Sequence, residues 1–244
     1  MSWKIMPVHR VAQLSPKEYS GSGAVSTNYT RDSLSSLDPN RIMRGSNVDS
    51  YWDRGTGTRN AINAMVLVNH NLATGTVTVY SDAGATITTS KGSVTPSTNT
   101  AVYTALTATA DRYIRADVDV ASADVGILSL GTTYDLGNPS YGASIGHAPT
   151  DNPHHGGGRT LSLNFGKVLT TDCVIIARLL AVKYDIEGTT YDGIGGAGGS
   201  NPVALIDGNS AVYWGHVQFS YSDFAPLYSR VSISMQEMAY FRNV

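Results

Sequence analysis

Cysteine is nearly absent from this 244-residue chain: Cys173 stands alone. A single thiol excludes an internal disulfide, and with it the stapled scaffolds that rescue domains with thin cores. Cys173 lies in the apolar run CVIIARLLAV with no cation adjoining it, and reads as a buried, inert thiol. No apolar stretch approaches the roughly 18 residues that a membrane-spanning helix needs. The N-terminus, MSWKIMPVHR, has neither the apolar core nor the small-residue cleavage site of a signal peptide. The expectation is a chain made in a cytoplasm, with no membrane span.

Charge is scarce as well. Seventeen Lys and Arg stand against 19 Asp and Glu, for a net charge of −2, and no five like charges run together. That excludes nucleic-acid binding through a broad basic face. Charged residues are only 15% of the chain, below the roughly one quarter of an ordinary soluble domain. Such a surface suits a subunit partly covered by its neighbours.

Signatures of metal and cofactor chemistry are also wanting. In DNPHHGGGRT (151–160), adjacent His154 and His155 point apart in an extended segment. Asp151 and His147 lie near in sequence, but no Cys or Glu cluster joins them, and no metal site is expected. GGGRT precedes an alternating strand rather than a helix, so it is no phosphate cradle. GIGGAGG (193–199) has glycines at dinucleotide spacing but is followed by SNPVALIDG, and reads as a loop. No cofactor is implied. Paired carboxylates are a spatial feature, yet Asp82, Asp111 and Asp151 fall in turns and Asp117 and Asp119 at a strand end, as surface carboxylates do.

What is present is β-pattern. AINAMVLVNHNL is the near-continuous apolar run of a strand buried on both faces. TGTVTVYSD alternates, with Val77 and Val79 on one face and Thr76, Thr78 and Tyr80 on the other. RYIRADVDV sets Ile114, Ala116 and Val118 against Tyr113, Arg115 and Asp117; Arg115 is expected to pair with a carboxylate or turn carbonyls and hold the N-terminal wrap. Trp52 reads as the anchor of the preceding irregular stretch. Asn71 is expected to close a turn through its amide, and His70 to be a hydrogen-bonded packing residue.

These segments divide the chain into an extended arm (1–39), a β-sandwich (40–135), a Gly/Pro/His linker (136–158) and an α+β module (159–244). The module is expected to carry one helix, capped by Thr171 or Asp172, with Ile175, Leu179 and Val182 on its apolar face, while β-branched Val174, Ile175 and Ile176 leave a strand open. The arm and linker hold few large apolar residues, so neighbouring chains are expected to order them, covering Trp3, Ile5, Met6, Val8 and Leu14.

AMVLVNHNLATGTVTVYSD and DRYIRADVDVASADVGILSLG together resemble a pattern in virion structural proteins of tailed bacteriophages, of the minor-tail or tail-tip type. There, a galactose-binding-like (discoidin-like) jelly-roll sandwich comes first. RTLSLNFGKV through SISMQEM resembles the companion module of the same proteins. Trp52 departs from the pattern by following Arg44 rather than preceding it. The resemblance implies a non-enzymatic part of the particle, resident in the virion, whose partners are copies of itself and other tail proteins, through arms and sheet edges.

Two other functions stay open. Galactose-binding-like sandwiches often bind sugars, and Tyr51, Trp52, Tyr134 and Tyr141 are candidate contacts for a host-surface glycan. A glycan hydrolase would need two carboxylates converging in a cleft.

Overall fold

The computed structural model describes residues 2–7, 9–11, 14–57, 59–140, 144–146, 155–156, 158–181, 185–186, 189–190 and 202–241. The chain forms two compact units: Met1–Val8 with Thr133–Tyr240, and His9–Thr132 with Phe241–Val244.

In chain order the elements begin with β1 (Trp3–Met6), β2 (Lys17–Glu18), a 3-10 turn (Arg31–Ser35), β3 (Met43–Gly45), β4 (Val48–Asp53), β5 (Ile62–His70) and β6 (Thr76–Asp82). β7 (Ser90–Val94), β8 (Val102–Thr109), β9 (Tyr113–Asp119), β10 (Ala123–Gly131), β11 (Tyr134–Gly137), β12 (Ser144–Gly146) and β13 (His155–Gly156) follow. The remainder are β14 (Thr160–Leu169), α1 (Thr170–Ala181), β15 (Asp185–Ile186), β16 (Thr189–Thr190), β17 (Val203–Ile206), β18 (Val212–Ala225), β19 (Tyr228–Glu237) and β20 (Tyr240–Phe241). The molecule is mainly β: a sandwich, and an α+β unit with a single helix among the described residues.

The sandwich unit packs the sheet β3-β10-β5-β8 against the sheet β2-β4-β9-β6-β7, with every pairing antiparallel. Alternation puts Trp52, Val77, Val79, Ile114, Ala116 and Val118 of one sheet against Met65, Leu67, Leu128 and Leu130 of the other. β10 is buried throughout, and β5 everywhere but Asn63, as their apolar runs require.

Two histidines are sealed into this unit. His70 Nδ1 accepts from Leu72 N at 3.2 Å, which leaves Nε2–H to donate to Thr100 O at 2.9 Å. His9 Nδ1 accepts from Leu130 N at 3.2 Å. Asn71 acts differently from the expected turn closure. Its amide bridges to β10, donating to Ser122 O (3.1 Å) and accepting from Asp124 N (2.8 Å). The left-handed residue is Asn69 (φ 53), whose amide donates to Pro39 O at 2.7 Å.

The second unit is one antiparallel sheet, β11-β1-β17-β18-β19-β14-β12, with α1 on one face. Leu161, Leu163 and Phe165 of β14 meet Val231, Ile233 and Met235 of β19 in one cluster with Cys173 and Ile176 of the helix. α1 starts at Thr170, ahead of the expected caps, and turns Cys173 and Ile176 inward. Ile175 is exposed and Leu179 half-buried, so the expected apolar face is rotated by one residue; Val182 lies outside the described residues. Spacing alone cannot choose between these registers, because Val174, Ile175 and Ile176 are all apolar.

The expected arm proves to be structural. Trp3, Ile5 and Met6 are buried within the chain itself because β1 lies between β11 and β17, and Trp3 stacks on Tyr213 at 5.8 Å. Alternating apolar residues make a strand wherever two edges are free to pair with it. Residues 14–39 wrap the sandwich, with Leu34 in its core, and β12 of the expected linker pairs with β14.

Burial holds the pKa of both His9 and His70 down to about 4 from 6.5. The unfolded chain therefore binds more protons between those values, and stability falls as pH drops from 6.5 through 4. Each histidine should contribute about 3 kcal/mol to this loss. Urea denaturation at a series of pH values is expected to show it, with His70→Gln removing about half; a flat profile over this window would contradict it.

Candidate functional site

β9 is the middle strand of the five-stranded sheet, and its outward residues are Tyr113, Arg115 and Asp117. Cross-strand register sets Tyr51 of β4 and Tyr80 of β6 on either side of Arg115, and Asp49 beside Asp117. Six neighbouring side chains on one pleated face thus bring aromatic rings, carboxylates and a guanidinium together.

Arg115 organises this face. Its Nε donates to Asp49 Oδ1 at 2.8 Å, its Nη1 to Ile87 O at 3.0 Å, and its Nη2 lies 3.6 Å from Asp117 Oδ2. The guanidinium is held between two rings, 4.3 Å from the centroid of Tyr19 and 4.5 Å from that of Tyr80. Tyr19 belongs to the N-terminal wrap, and its hydroxyl accepts from Ile87 N at 3.1 Å. The wrap, the 83–89 loop and three strands therefore meet on one side chain. Burial raises the pKa values of Asp49 and Asp117, and Arg115 acts against that rise.

A second pair flanks the first. Arg112 grips Asp53 through two bonds of 2.7 Å and lies 4.8 Å over the Tyr113 ring. Its bond to Arg112 is the main reason Asp53 is held down to about 2. Between the two pairs, Tyr51 meets Tyr19 edge-on at 6.1 Å and Tyr113 at 6.5 Å with a 51° tilt. Tyr19, Tyr51, Tyr80 and Tyr113 are all half-buried.

The candidate glycan contacts separate. Tyr51 is on this face. Trp52, next in the same strand, points the opposite way and is fully buried, with Nε1 donating to Ser35 Oγ at 2.9 Å; strand alternation removes it from any surface site. It anchors the wrap instead, since Ser35 Oγ donates on to Leu14 O at 2.6 Å. Tyr134 belongs to the other unit, half-buried against the cluster of Trp3 and Leu136. Tyr141 lies outside the described residues, as do His147, Asp151, His154 and the 193–199 loop; His155 falls in β13. Tyr80 and Tyr113 were legible as outward-facing from alternation, whereas no local pattern marked Tyr19.

Other chemistry is poorly served here. Asp49 and Asp117 face each other across strands, but both serve the one guanidinium of Arg115. Gly142–Gly146 reads Gly-Ala-Ser-Ile-Gly, the spacing of a nucleophile elbow, yet Ser144 lies in edge strand β12 and not in a strand-to-helix turn. Burial raises the pKa of the Cys173 thiol. Among the described residues no three His, Cys, Asp or Glu side chains are grouped to hold a metal.

No protein-family model matches the chain, and no curated protein matches it. Solved structures do. A chitosan-binding module of a chitosanase/glucanase from Paenibacillus sp. IK-5 is 14% identical, over 49% of this chain and 98% of that one, with a TM-score of 0.39. A fucose-binding module of Streptococcus pneumoniae is 8% identical, over 52% and 95%, also at 0.39. Truncated AlyQ, with carbohydrate-binding and alginate lyase domains, is 13% identical over 86% and 60%, at 0.35. At these identities and scores the functional reading rests on the geometry of the face itself.

Arg115→Ala would strand Asp49 in a poorly hydrated site and should cost about 3 kcal/mol. Arg115→Lys should recover only part, because an ammonium has no planar face to lie between two rings. Chemical denaturation of both variants tests this. Equal stability of Arg115→Lys and the parent protein would show that the stacking is not what holds the wrap.

Proposed function

We propose that this chain is a non-catalytic glycan-binding protein whose sandwich unit recognises a neutral, hydroxyl-rich oligosaccharide through the Tyr51–Tyr113 face. The observation that carries the reading is the placement of two half-buried tyrosines, Tyr51 and Tyr113, beside two hydrogen-bonded ion pairs, Asp53–Arg112 and Asp49–Arg115. A pyranose ring has apolar C–H faces and a polar rim of hydroxyls. Tilted aromatic rings suit the former, and flanking carboxylates and guanidinium groups suit the latter. The charges on the face nearly balance, which favours a neutral sugar over an acidic one. Rigidity also supports the reading, because groups already fixed by Arg115 lose little freedom on binding.

A second reading, a subunit of a larger assembly such as the virion that the sequence resemblance implies, draws on a different observation, which bears on assembly alone. The helix-and-sheet unit exposes Leu169, Val174, Ile175, Phe224 and Leu227, the last at 67%. Large apolar side chains left in water favour a neighbour that covers them. The two readings are compatible, since a particle protein can also bind a host-surface glycan.

A glycan array probed with the full chain tests the first reading. Binding to neutral oligosaccharides is expected, with Tyr51→Ala and Tyr113→Ala each weakening it about tenfold or more. Melting temperatures should barely move, because the core beneath these rings is built from Trp52 and Ile114. Unchanged binding by both variants, or no binding by the parent protein, would refute the assignment.

A further inference from the structure

The seven-stranded sheet carries a cavity of about 320 Å³ on the face turned away from α1. The cavity lies within one unit, and every residue that lines it is among the described ones. Its floor follows from strand register. Ser140 donates its backbone N–H to Asn164 O at 2.5 Å, Asn164 pairs with Ser232, and Ser232 pairs with Ser220. These side chains form one cross-strand row, on the opposite face from buried Phe165 and Val231. Ser222 and Arg230 form the next row of the same face. Where that row would continue into β14, the pairing shifts register between Phe165 and Val168, and Gly166 occupies the bulge. A Cβ on Gly166 would come within 3.2 Å of Ser140 Oγ, so the glycine keeps this end of the cavity open.

We propose that this cavity binds a small hydroxylated carboxylate, in its simplest form a sugar acid, with Arg230 taking the carboxylate and Asn164 and the serines taking the hydroxyls. Three observations select this ligand class. The first is the state of Arg230. Arg31, Arg44, Arg112, Arg115 and Arg159 each grip a carboxylate of the chain. Arg230 has no such partner among the described residues, and its guanidinium lies 5.3 Å over the Phe224 ring. A contact of that kind spends none of its N–H donors. No Asp or Glu lines the cavity, and Asp223, beside Ser222 in the chain, is engaged elsewhere, accepting from Ser229 Oγ at 2.6 Å. A planar fork of donors with no anion beside it matches a carboxylate.

The second observation is hydrogen-bonding capacity. The side chains of Ser140, Asn164, Ser220, Ser222 and Ser232 make no hydrogen bond among the described residues. On the Arg115 face, by contrast, the guanidinium groups and carboxylates are already bonded to one another. Hydroxyls and an amide can each donate and accept, as a ligand bearing several hydroxyls requires.

The third observation is size. The cavity stands near the lower end of the roughly 300–1,000 Å³ of small-molecule sites, which suits one sugar-sized molecule and not a long chain. A single guanidinium also sets the charge, since it neutralises one carboxylate and leaves a second unmatched. The proposal does not rest on the glycan reading, because its ligand is charged and every residue it uses lies in the other unit.

The test uses the full chain and glucuronate, with glucose as its neutral counterpart. In two-dimensional NMR, glucuronate is expected to shift the amides of Asn164, Ser220–Ser222 and Arg230–Ser232 saturably. Glucose should bind there at least about tenfold more weakly, because it lacks the group that Arg230 holds. Arg230→Gln should lose a similar factor, about tenfold, for glucuronate and keep the parent melting temperature, because Arg230 is exposed. Gly166→Leu fills the cavity and should abolish the shifts. No saturable shift at these amides would overturn the proposal. So would glucose binding as tightly as glucuronate, or Arg230→Gln binding glucuronate as the parent protein does. The amides of β4 and β9 are read in the same spectra, so failure here and failure of the Tyr51–Tyr113 reading are visible separately.

Discussion

The guanidinium of Arg115, held between the rings of Tyr19 and Tyr80, is the contact on which the outer face of the five-stranded sheet depends. One planar cation satisfies a carboxylate that burial would otherwise disfavour, caps a loop carbonyl at Ile87 and fixes two aromatic rings. A flexible ammonium could not do all of these together, because they need a rigid fork and two flat faces. Without the clamp, the N-terminal wrap would lose its tie to the sheet, and Tyr51 would lose the edge-on partner that sets its tilt. Side-chain order on an open sheet usually has to come from packing; here it comes from charge and π-stacking at the sheet's centre.

The two units solve the same physical problem in different ways. The sandwich buries one face of each sheet against the other, and its buried β5 and β10 are the most apolar strands in the chain. The helix-and-sheet unit has one layer of helix over one sheet, and the helix is only 12 residues long. It covers the cluster around Phe165 and Ile233 but leaves Leu169 and Leu227, near the start of the helix, in solvent. Among the described residues, the exposed large aliphatic side chains therefore collect in this unit, while the clustered tyrosines and ion pairs around Arg115 lie in the other.

Much of this was legible in the sequence, because strand alternation is a strict rule. Ile114, Ala116 and Val118 face inward and Tyr113, Arg115 and Asp117 outward, as the period of two requires. The same rule separates Tyr51 from Trp52, although composition alone presents both as surface aromatics. Illegible features depend on partners distant in sequence. Trp3–Met6 became a strand only because β11 and β17, more than a hundred residues away, offer edges for it. Tyr19 joined the face because Arg115 drew it there. The helix face was ambiguous because three consecutive apolar residues fit either register, and the position of the sheet beneath decides between them.

The central claim is that a fixed aromatic and ionic face on the five-stranded sheet binds sugar. Amide chemical shifts in two-dimensional NMR, followed while a neutral oligosaccharide is added to the full chain, test it residue by residue. The account predicts saturable shifts at Tyr51–Asp53 of β4 and Tyr113–Asp117 of β9, with the buried amides of β5 and β10 unmoved. Saturable shifts confined to the seven-stranded sheet, or no shifts with any oligosaccharide that the array retains, would contradict it.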